Sequence, residues 1–128
     1  MDREQLLDYI EGFLHAVGAE EGYLFGSRAR GDHLADSDVD LLIFSRRFRG
    51  VKFPWRLVRL QEYWHLPYSL EALPYTREEV QTLLASSGVV AAALKEGVRV
   101  LPRKPSALAA RDEQAGEAAR RAQRATSG

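Results

Sequence analysis

The run Val39-Asp40-Leu41-Leu42-Ile43-Phe44 constrains the fold of this chain more than any other segment. Five of its six side chains are apolar, and apolar and polar positions do not alternate. A strand of this composition is typically covered on both faces, as in sheets that carry helices on each side. The run therefore predicts a central, buried strand in a small α/β fold.

Apolar periodicity predicts the elements that surround this strand. Helices are expected over 2–17, from Pro54 to about Trp64, from Thr76 to about Ala85 and over 89–94, with one helical turn over 28–31; strands are expected over 22–25, 68–73 and 98–101, with Pro74 closing the strand before it. The string Thr76-Arg77-Glu78-Glu79 matches a capping box at a helix start. Residues 1–102 are interpreted as one domain. Residues 103–128, rich in Ala and Arg, predict a weakly ordered or helical tail.

Composition excludes several functional classes. The 128 residues carry a formal net charge of zero, which argues against nucleic-acid binding through a global positive field. With no Cys, disulfides and thiolate metal sites are excluded. No apolar run approaches the roughly 20 residues that span a bilayer, and the amino terminus lacks a secretory signal pattern. A cytoplasmic protein without membrane contact is expected.

The stretch from Arg46 to Arg59 mixes cations and aromatic residues. Such a mixture suits RNA or an acidic protein surface. A solvated connection followed by an ordinary amphipathic helix is the preferred interpretation.

Asp38 and Asp40 are the first candidates for a functional site. Side chains two apart on a strand project to the same face, so these carboxylates emerge side by side at the start of the buried strand. Two neighbouring anions repel each other unless a cation lies between them. Mg²⁺ prefers oxygen ligands and is usually held by one or two carboxylates with substrate phosphates, and two such ions can assist phosphoryl displacement. The pair therefore predicts phosphate chemistry with one or two Mg²⁺ ions.

The corner at Gly26 and Ser27 supplies a complementary feature. It ends a short apolar strand, and a glycine followed by the amides of a helical turn lets the backbone approach a phosphate group closely. Arg28 and Arg30 follow directly. Each could contact phosphate or serve as a structural ion-pair partner, and the sequence favours neither interpretation.

Glu71 is the candidate for a third acid. It lies among apolar neighbours in the predicted strand over 68–73, where an unpaired charge would be costly. If that strand pairs beside the strand of Asp40, Glu71 can act as a general base or as a ligand to a second metal ion. Strand order decides this, and periodicity does not give strand order.

These motifs resemble those of a known superfamily. Gly26-Ser27, ten further residues, and then Asp38-x-Asp40 before an apolar strand resemble the signature of the DNA polymerase beta-like nucleotidyltransferases. The longer strings over 25–31, 37–42 and 75–79 are similar to its minimal nucleotidyltransferase (MNT) branch. The resemblance implies a palm-like mixed β-sheet flanked by helices. It also implies Mg²⁺-dependent transfer of a nucleoside monophosphate from ATP or another triphosphate to a hydroxyl group, with release of pyrophosphate.

The resemblance also implies roles for single residues. Gly26 and Ser27 would bind phosphate, Asp38 and Asp40 would bind metal, and Glu71 occupies the position where the family usually has Asp. Members of the branch often neutralise a helical HEPN-type partner as antitoxins, in some cases by adenylylating a tyrosine, and this is the preferred function. Two alternatives stay open: a catalytically weak module that neutralises the partner by binding it, and a transferase acting on a small molecule or on tRNA. The oligomeric state, a homo-oligomer included, is also left open.

Overall fold

The computed structural model describes residues 1–104 and contains a four-stranded sheet with helices on both faces. In chain order the elements are α1 (Arg3–Val17), β1 (Glu21–Phe25), α2 (Ser27–Arg30), β2 (Val39–Phe44), a 3-10 turn (Arg46–Phe48), α3 (Phe53–Tyr63), β3 (Leu70–Tyr75), α4 (Arg77–Leu83), α5 (Gly88–Glu96) and β4 (Val98–Val100). The predicted fold class, a small mixed sheet flanked by helices, is confirmed.

The sheet has the strand order β3-β2-β1-β4. β2 pairs parallel with β3 and antiparallel with β1, and β1 pairs antiparallel with β4. Five of the six β2 residues are buried, and Asp40 is the half-buried exception. The prediction of a central strand covered on both faces is therefore confirmed. The one residue of β2 that is not fully buried is an acid, Asp40.

The two faces of β2 belong to different apolar layers. Val39, Leu41 and Ile43 pack with residues of α1 and α3. Leu42 and Phe44 pack on the opposite face with residues of α4 and α5. Because side chains alternate along a strand, Asp40 projects to the α4/α5 face. On that face, Asp40 is the β2 residue that is only half-buried.

The prediction for the third strand is wrong by two residues. The sequence favoured 68–73 with a stop at Pro74, whereas β3 begins at Leu70 and continues through Pro74 to Tyr75. Pro74 is tolerated because β3 is an edge strand with a neighbour on one side only. The backbone N–H that proline lacks is therefore not needed to bond a second strand. Its carbonyl oxygen accepts a hydrogen bond from Arg56 Nη1 at 3.0 Å.

The capping box at α4 is confirmed. The Thr76 hydroxyl accepts from the Glu79 amide at 3.2 Å, and Glu79 Oε1 accepts from the Thr76 amide at 2.8 Å. Of the predicted tail over 103–128, residues 105–128 lie outside the described residues, so the domain boundary at 102 stays a prediction. Within the described part of the chain, no helix combines the length and hydropathy that crossing a membrane requires.

Candidate active site

Strand register places the predicted acids together at one end of the sheet. Asp40 is paired with Glu71 of β3 on one side and with Phe25 of β1 on the other. Paired residues of neighbouring strands project to the same face, and Asp38 lies two residues before Asp40. The condition set by the sequence, that the strand of Glu71 pairs beside the strand of Asp40, is therefore met.

The electrostatics of Asp40 reflect this crowding of acids. Burial raises the pKa of its carboxyl group above the usual value, and repulsion by the charges of Asp38 and Glu71 raises it further. The positive charge of Arg30 acts in the opposite direction without cancelling the shift. Asp38 and Glu71 are exposed. This end of the sheet thus carries negative charge that the protein itself does not neutralise, which favours a bound cation.

Gly26 connects the glycine-serine corner to the acids. Its backbone has φ 75° and ψ −159°, a conformation that residues with a Cβ rarely adopt. A Cβ added at this position would overlap Asp40 Oδ2. The backbone at Gly26 therefore lies directly against the Asp40 carboxylate, so the corner and the acid pair form one site.

The single turn of α2 starts at this corner. Ser27 is half-buried at its first position, and the Gly26 carbonyl oxygen accepts hydrogen bonds from the amides of Ala29 and Arg30, both at 3.2 Å. The first amides of a helical turn precede its internal hydrogen bonds, which makes them suitable donors to an anion. The amides of Ser27 and Arg28 occupy that position.

Arg28 and Arg30 are placed very differently. Arg30 is exposed, its Nε lies 3.1 Å from Asp32 Oδ2, and its charge acts on Asp40. It therefore stays a candidate contact for phosphate. Arg28 is 3% exposed and donates to backbone carbonyl oxygens of the loop before Asp38. This placement favours a structural role for Arg28 over a direct contact with phosphate.

The carboxylates do not enclose a metal ion by themselves. Among residues 1–104, no three His, Cys, Asp or Glu side chains form a group that could hold one. An open carboxylate arrangement fits Mg²⁺, which usually takes its remaining ligands from substrate phosphates and water. The negative charge around Asp40 and the glycine corner beside it are compatible with such an arrangement.

The basic stretch after β2 lies at the other end of that strand from Asp40. Several of its cations are engaged: Arg46 pairs with Glu20, and Arg49 pairs with Glu78. Arg56 is 6% exposed and pairs with Glu79 at 2.7 Å. The preferred interpretation, a connection followed by an amphipathic helix, agrees with these contacts.

Sequence reasoning missed Tyr68 as a neighbour of the site. The predicted strand over 68–73 includes Tyr68, but this residue precedes β3, and its ring lies under the Arg28 guanidinium, 4.1 Å from Cζ to the ring centroid. No local pattern could have revealed this contact, because 40 positions separate the two residues in the chain and only the pairing of β2 with β3 brings them together.

Comparison with known proteins agrees with the fold. Residues 9–99 match the family model described as the nucleotidyltransferase domain. A crystal structure from Sulfolobus solfataricus, described as a "putative nucleotidyltransferase", matches with a TM-score of 0.53 at 22% sequence identity, covering 76% of this chain and 80% of that chain. This likeness shows a shared fold. Among curated proteins, none matches significantly. Since the family model spans most of its length, the chain belongs to the nucleotidyltransferase domain family.

Proposed function

We propose that this protein transfers a nucleoside monophosphate from a nucleoside triphosphate, ATP by preference, to a hydroxyl group. The proposed acceptor is a tyrosine of a HEPN-type helical partner, which the protein would neutralise as an antitoxin. One observation carries the catalytic part of this proposal: Asp40 is paired in register with Glu71 and lies directly against the backbone of Gly26. The acids proposed to bind metal, the proposed third acid and the corner proposed to bind phosphate therefore lie at the same end of the sheet.

Each residue of the site has a proposed task. The backbone at Gly26 and Ser27 binds the triphosphate, and Arg30 is positioned to contact it. Asp38 and Asp40 would hold Mg²⁺, which neutralises phosphate charge and polarises the phosphoryl oxygens when it is bound. The raised pKa of Asp40 supports this assignment, since a cation would relieve the repulsion that causes part of the shift.

Glu71 is the proposed general base. As the acceptor oxygen forms its bond to the α-phosphorus, the bond from that phosphorus to the bridging oxygen breaks and pyrophosphate leaves. The hydroxyl proton passes to the Glu71 carboxylate. Glu71 is exposed and stands next to Asp40 in the register, so an approaching hydroxyl group can reach it. Its side chain is one methylene longer than the Asp usual in the resembled family.

The exposure of the site supports a macromolecular acceptor. Asp38 and Glu71 both face solvent, and a cavity of about 440 Å³ between α1 and β4 is lined by other residues, among them Leu7, Val100 and Pro102. An open acidic edge can receive a tyrosine presented on the surface of another protein, whereas small-molecule sites are usually concave.

The proposal is tested by incubating the protein with α-labelled ATP and Mg²⁺, with and without the product of the neighbouring gene. Wild-type protein is expected to label that partner. Label should disappear in the double variant Asp38→Ala plus Asp40→Ala, because loss of the metal ligands removes charge stabilisation in the transition state. The double variant Glu4→Ala plus Asp8→Ala removes two exposed acids of α1 and serves as the charge-matched control.

The outcomes separate the candidate functions. A stable complex without label identifies a binding module. Label on tRNA or on a small hydroxyl compound in place of the partner protein identifies a different acceptor. Failure of the wild-type protein to bind any triphosphate in the presence of Mg²⁺ contradicts the proposed function as a whole.

A further inference from the structure

Two arginines in the described part of the chain are almost fully buried, Arg28 at 3% and Arg56 at 6% exposure. Both donate hydrogen bonds to backbone carbonyl oxygens, and both lie near an aromatic ring, Tyr68 for Arg28 and Phe48 for Arg56. Arg56 is also neutralised by a two-pronged ion pair with Glu79, at 2.7 and 3.1 Å. The contacts of Arg56 explain it as a structural residue at the end of the sheet remote from Asp40.

The contacts of Arg28 lead to the acids. Its Nε donates to the Ser37 carbonyl oxygen at 2.8 Å, one residue before Asp38, and its Nη2 donates to the Ala35 carbonyl oxygen at 3.3 Å. Its guanidinium plane lies over the ring of Tyr68, in the segment that leads into β3 and Glu71. Arg28 itself belongs to α2, the turn that begins at the glycine corner. One side chain thus joins the three segments that carry the site.

These contacts oppose the repulsion within the site. Asp38 is exposed and lies outside β2, so the sheet ladder does not hold it, and the Asp40 carboxylate repels it. Within the preceding loop, the Leu34 amide donates to the Ser37 hydroxyl at 2.9 Å, and the Ser37 amide donates to the Leu34 carbonyl oxygen at 3.1 Å. That local turn shapes the loop, and directly after Asp38 the Val39 amide donates to the Ser69 carbonyl oxygen at 2.8 Å. The bonds from Arg28 attach the loop on the other side of Asp38.

We propose that Arg28 is a positioning residue, which holds the Asp38 carboxylate beside Asp40 and Glu71 and does not itself touch the nucleotide. This inference rests on the proposed function. Removal of a side chain that orients a metal ligand without touching the metal typically lowers metal affinity or activity ~10- to 100-fold. The effect should therefore fall on metal binding and on kcat, while the KM for the triphosphate should change little.

The test compares Arg28→Gln with Arg56→Gln, a matched variant of the other buried arginine. In the Arg28→Gln protein, the Mn²⁺ concentration for half-saturation should rise ~10-fold or more and kcat should fall by a similar factor, with the KM for ATP at saturating Mn²⁺ within about twofold of wild type. Arg56→Gln should lower Tm without moving metal half-saturation. Tyr68→Leu, which keeps Arg28 but removes its stacking partner, is expected to show a weaker form of the same change if Arg28→Gln fails to fold.

Each other outcome overturns the assignment. Equal loss of activity in the Arg28 and Arg56 variants, with unchanged metal half-saturation, reduces Arg28 to a structural residue. A large rise in the KM for ATP alone makes it a direct nucleotide contact.

Amide hydrogen exchange tests the attachment without relying on turnover. Arg28→Gln should accelerate exchange at Ser37 and Val39, whose amides donate to the carbonyl oxygens of Leu34 and Ser69, whereas Arg56→Gln should leave those amides unchanged. If the wild-type protein binds neither metal nor triphosphate, the proposed function fails. Exchange at Ser37 and Val39 then decides on Arg28 by itself, since unchanged rates in Arg28→Gln contradict the attachment and faster rates support it.

Discussion

Glu21 and Asp40 lie on the same face of the sheet at its opposite ends, and their carboxylates have opposite surroundings. Glu21 starts β1 and is paired in register with Phe44, whereas Asp40 is paired with Phe25 at the end of β1. Burial tends to raise the pKa of Glu21, but hydrogen bonds and charge from Arg99 and Arg77 outweigh burial and lower it. At Asp40, burial is joined by two further acids, and the pKa is raised.

The contacts of Glu21 explain why a charged carboxylate is tolerated in the core. Its side chain is 6% exposed and lies 2.6 Å from Arg77 Nη1 and 2.6 Å from Arg99 Nε. Arg77 starts α4 and Arg99 belongs to β4, so one carboxylate joins the first strand to a helix and to an edge strand. Both arginines are about half exposed, and solvent screening reduces the energy of each pair.

The difference between the two ends separates structure from function. A protein can neutralise a buried acid with its own cations, as it does at Glu21. At Asp40 it places acids beside acids and leaves the compensation to something that binds. Such an arrangement costs stability in the unbound protein, as binding and catalytic sites commonly do. Exchanging each acid for its neutral amide therefore tests the comparison directly.

The largest expected effect is on catalysis. Asp40→Asn should lower kcat for nucleotidyl transfer by ~10³-fold or more, because a neutral amide cannot hold the metal or offset phosphate charge in the transition state. Glu21→Gln should retain kcat within about threefold of wild type when it is assayed well below its Tm. Steady-state kinetics of the two variants measure both values. Similar losses in both would contradict the division between a structural and a functional end.

The next effect is on the stability of the structural end. Glu21→Gln keeps the shape of the side chain but removes the charge that both arginines face, and it should lower the free energy of unfolding by ~1–2 kcal/mol. Urea denaturation followed by circular dichroism measures this change. Arg77→Gln and Arg99→Gln should each cause a smaller loss, since the other arginine still pairs with Glu21. An unchanged midpoint in Glu21→Gln would mean that solvent screens these ion pairs completely.

A smaller effect of opposite sign is expected at the functional end. Asp40→Asn removes one charge from a group of three acids and should raise the free energy of unfolding in metal-free buffer by ~0.5–1 kcal/mol. Added Mg²⁺ and ATP should raise the Tm of wild-type protein and leave the Tm of this variant nearly unchanged. Thermal unfolding with and without both ligands measures the two changes. A destabilised metal-free Asp40→Asn protein would show that the carboxylate contributes structurally.

The smallest effects are in the pH dependence of these differences. The pKa of Glu21 is lowered on folding, so its stabilising contribution is present at pH 7 and is lost as the pH falls through that lowered value. The pKa of Asp40 is raised on folding, so its destabilising contribution develops as the pH rises from the unfolded value towards the folded one. As the pH falls from 7, both variants should therefore converge on wild-type stability. Asp40→Asn converges from above as the pH falls below the raised pKa of Asp40, and Glu21→Gln converges from below as the pH falls through the lowered pKa of Glu21. Denaturation midpoints measured as the pH is lowered test both signs.

The acid pair and the third acid illustrate how far sequence reasoning reached. The two-residue spacing of Asp38 and Asp40 before an apolar run is sufficient to predict a shared face. Glu71 could be named only as a candidate, and even the bounds of its strand were predicted two residues too early. The reason is that β3 takes its start and end from pairing with β2, from Val39–Leu70 to Phe44–Tyr75, and Pro74 is acceptable only because this strand lies at an edge.

By itself the sequence determined what depends on neighbours along the chain: the amphipathic and buried periodicities, the capping box at Thr76, the glycine at the corner and the projection of two aspartates to one side. Tertiary structure alone decided which acids meet, which arginines are buried and which carboxylate is neutralised. Glu21 reaches Arg99 across 78 positions and Asp40 meets Glu71 across 31, contacts that arise only when distant strands pair. Local pattern carries no information on that pairing, because every strand with a suitable apolar face could in principle accept it.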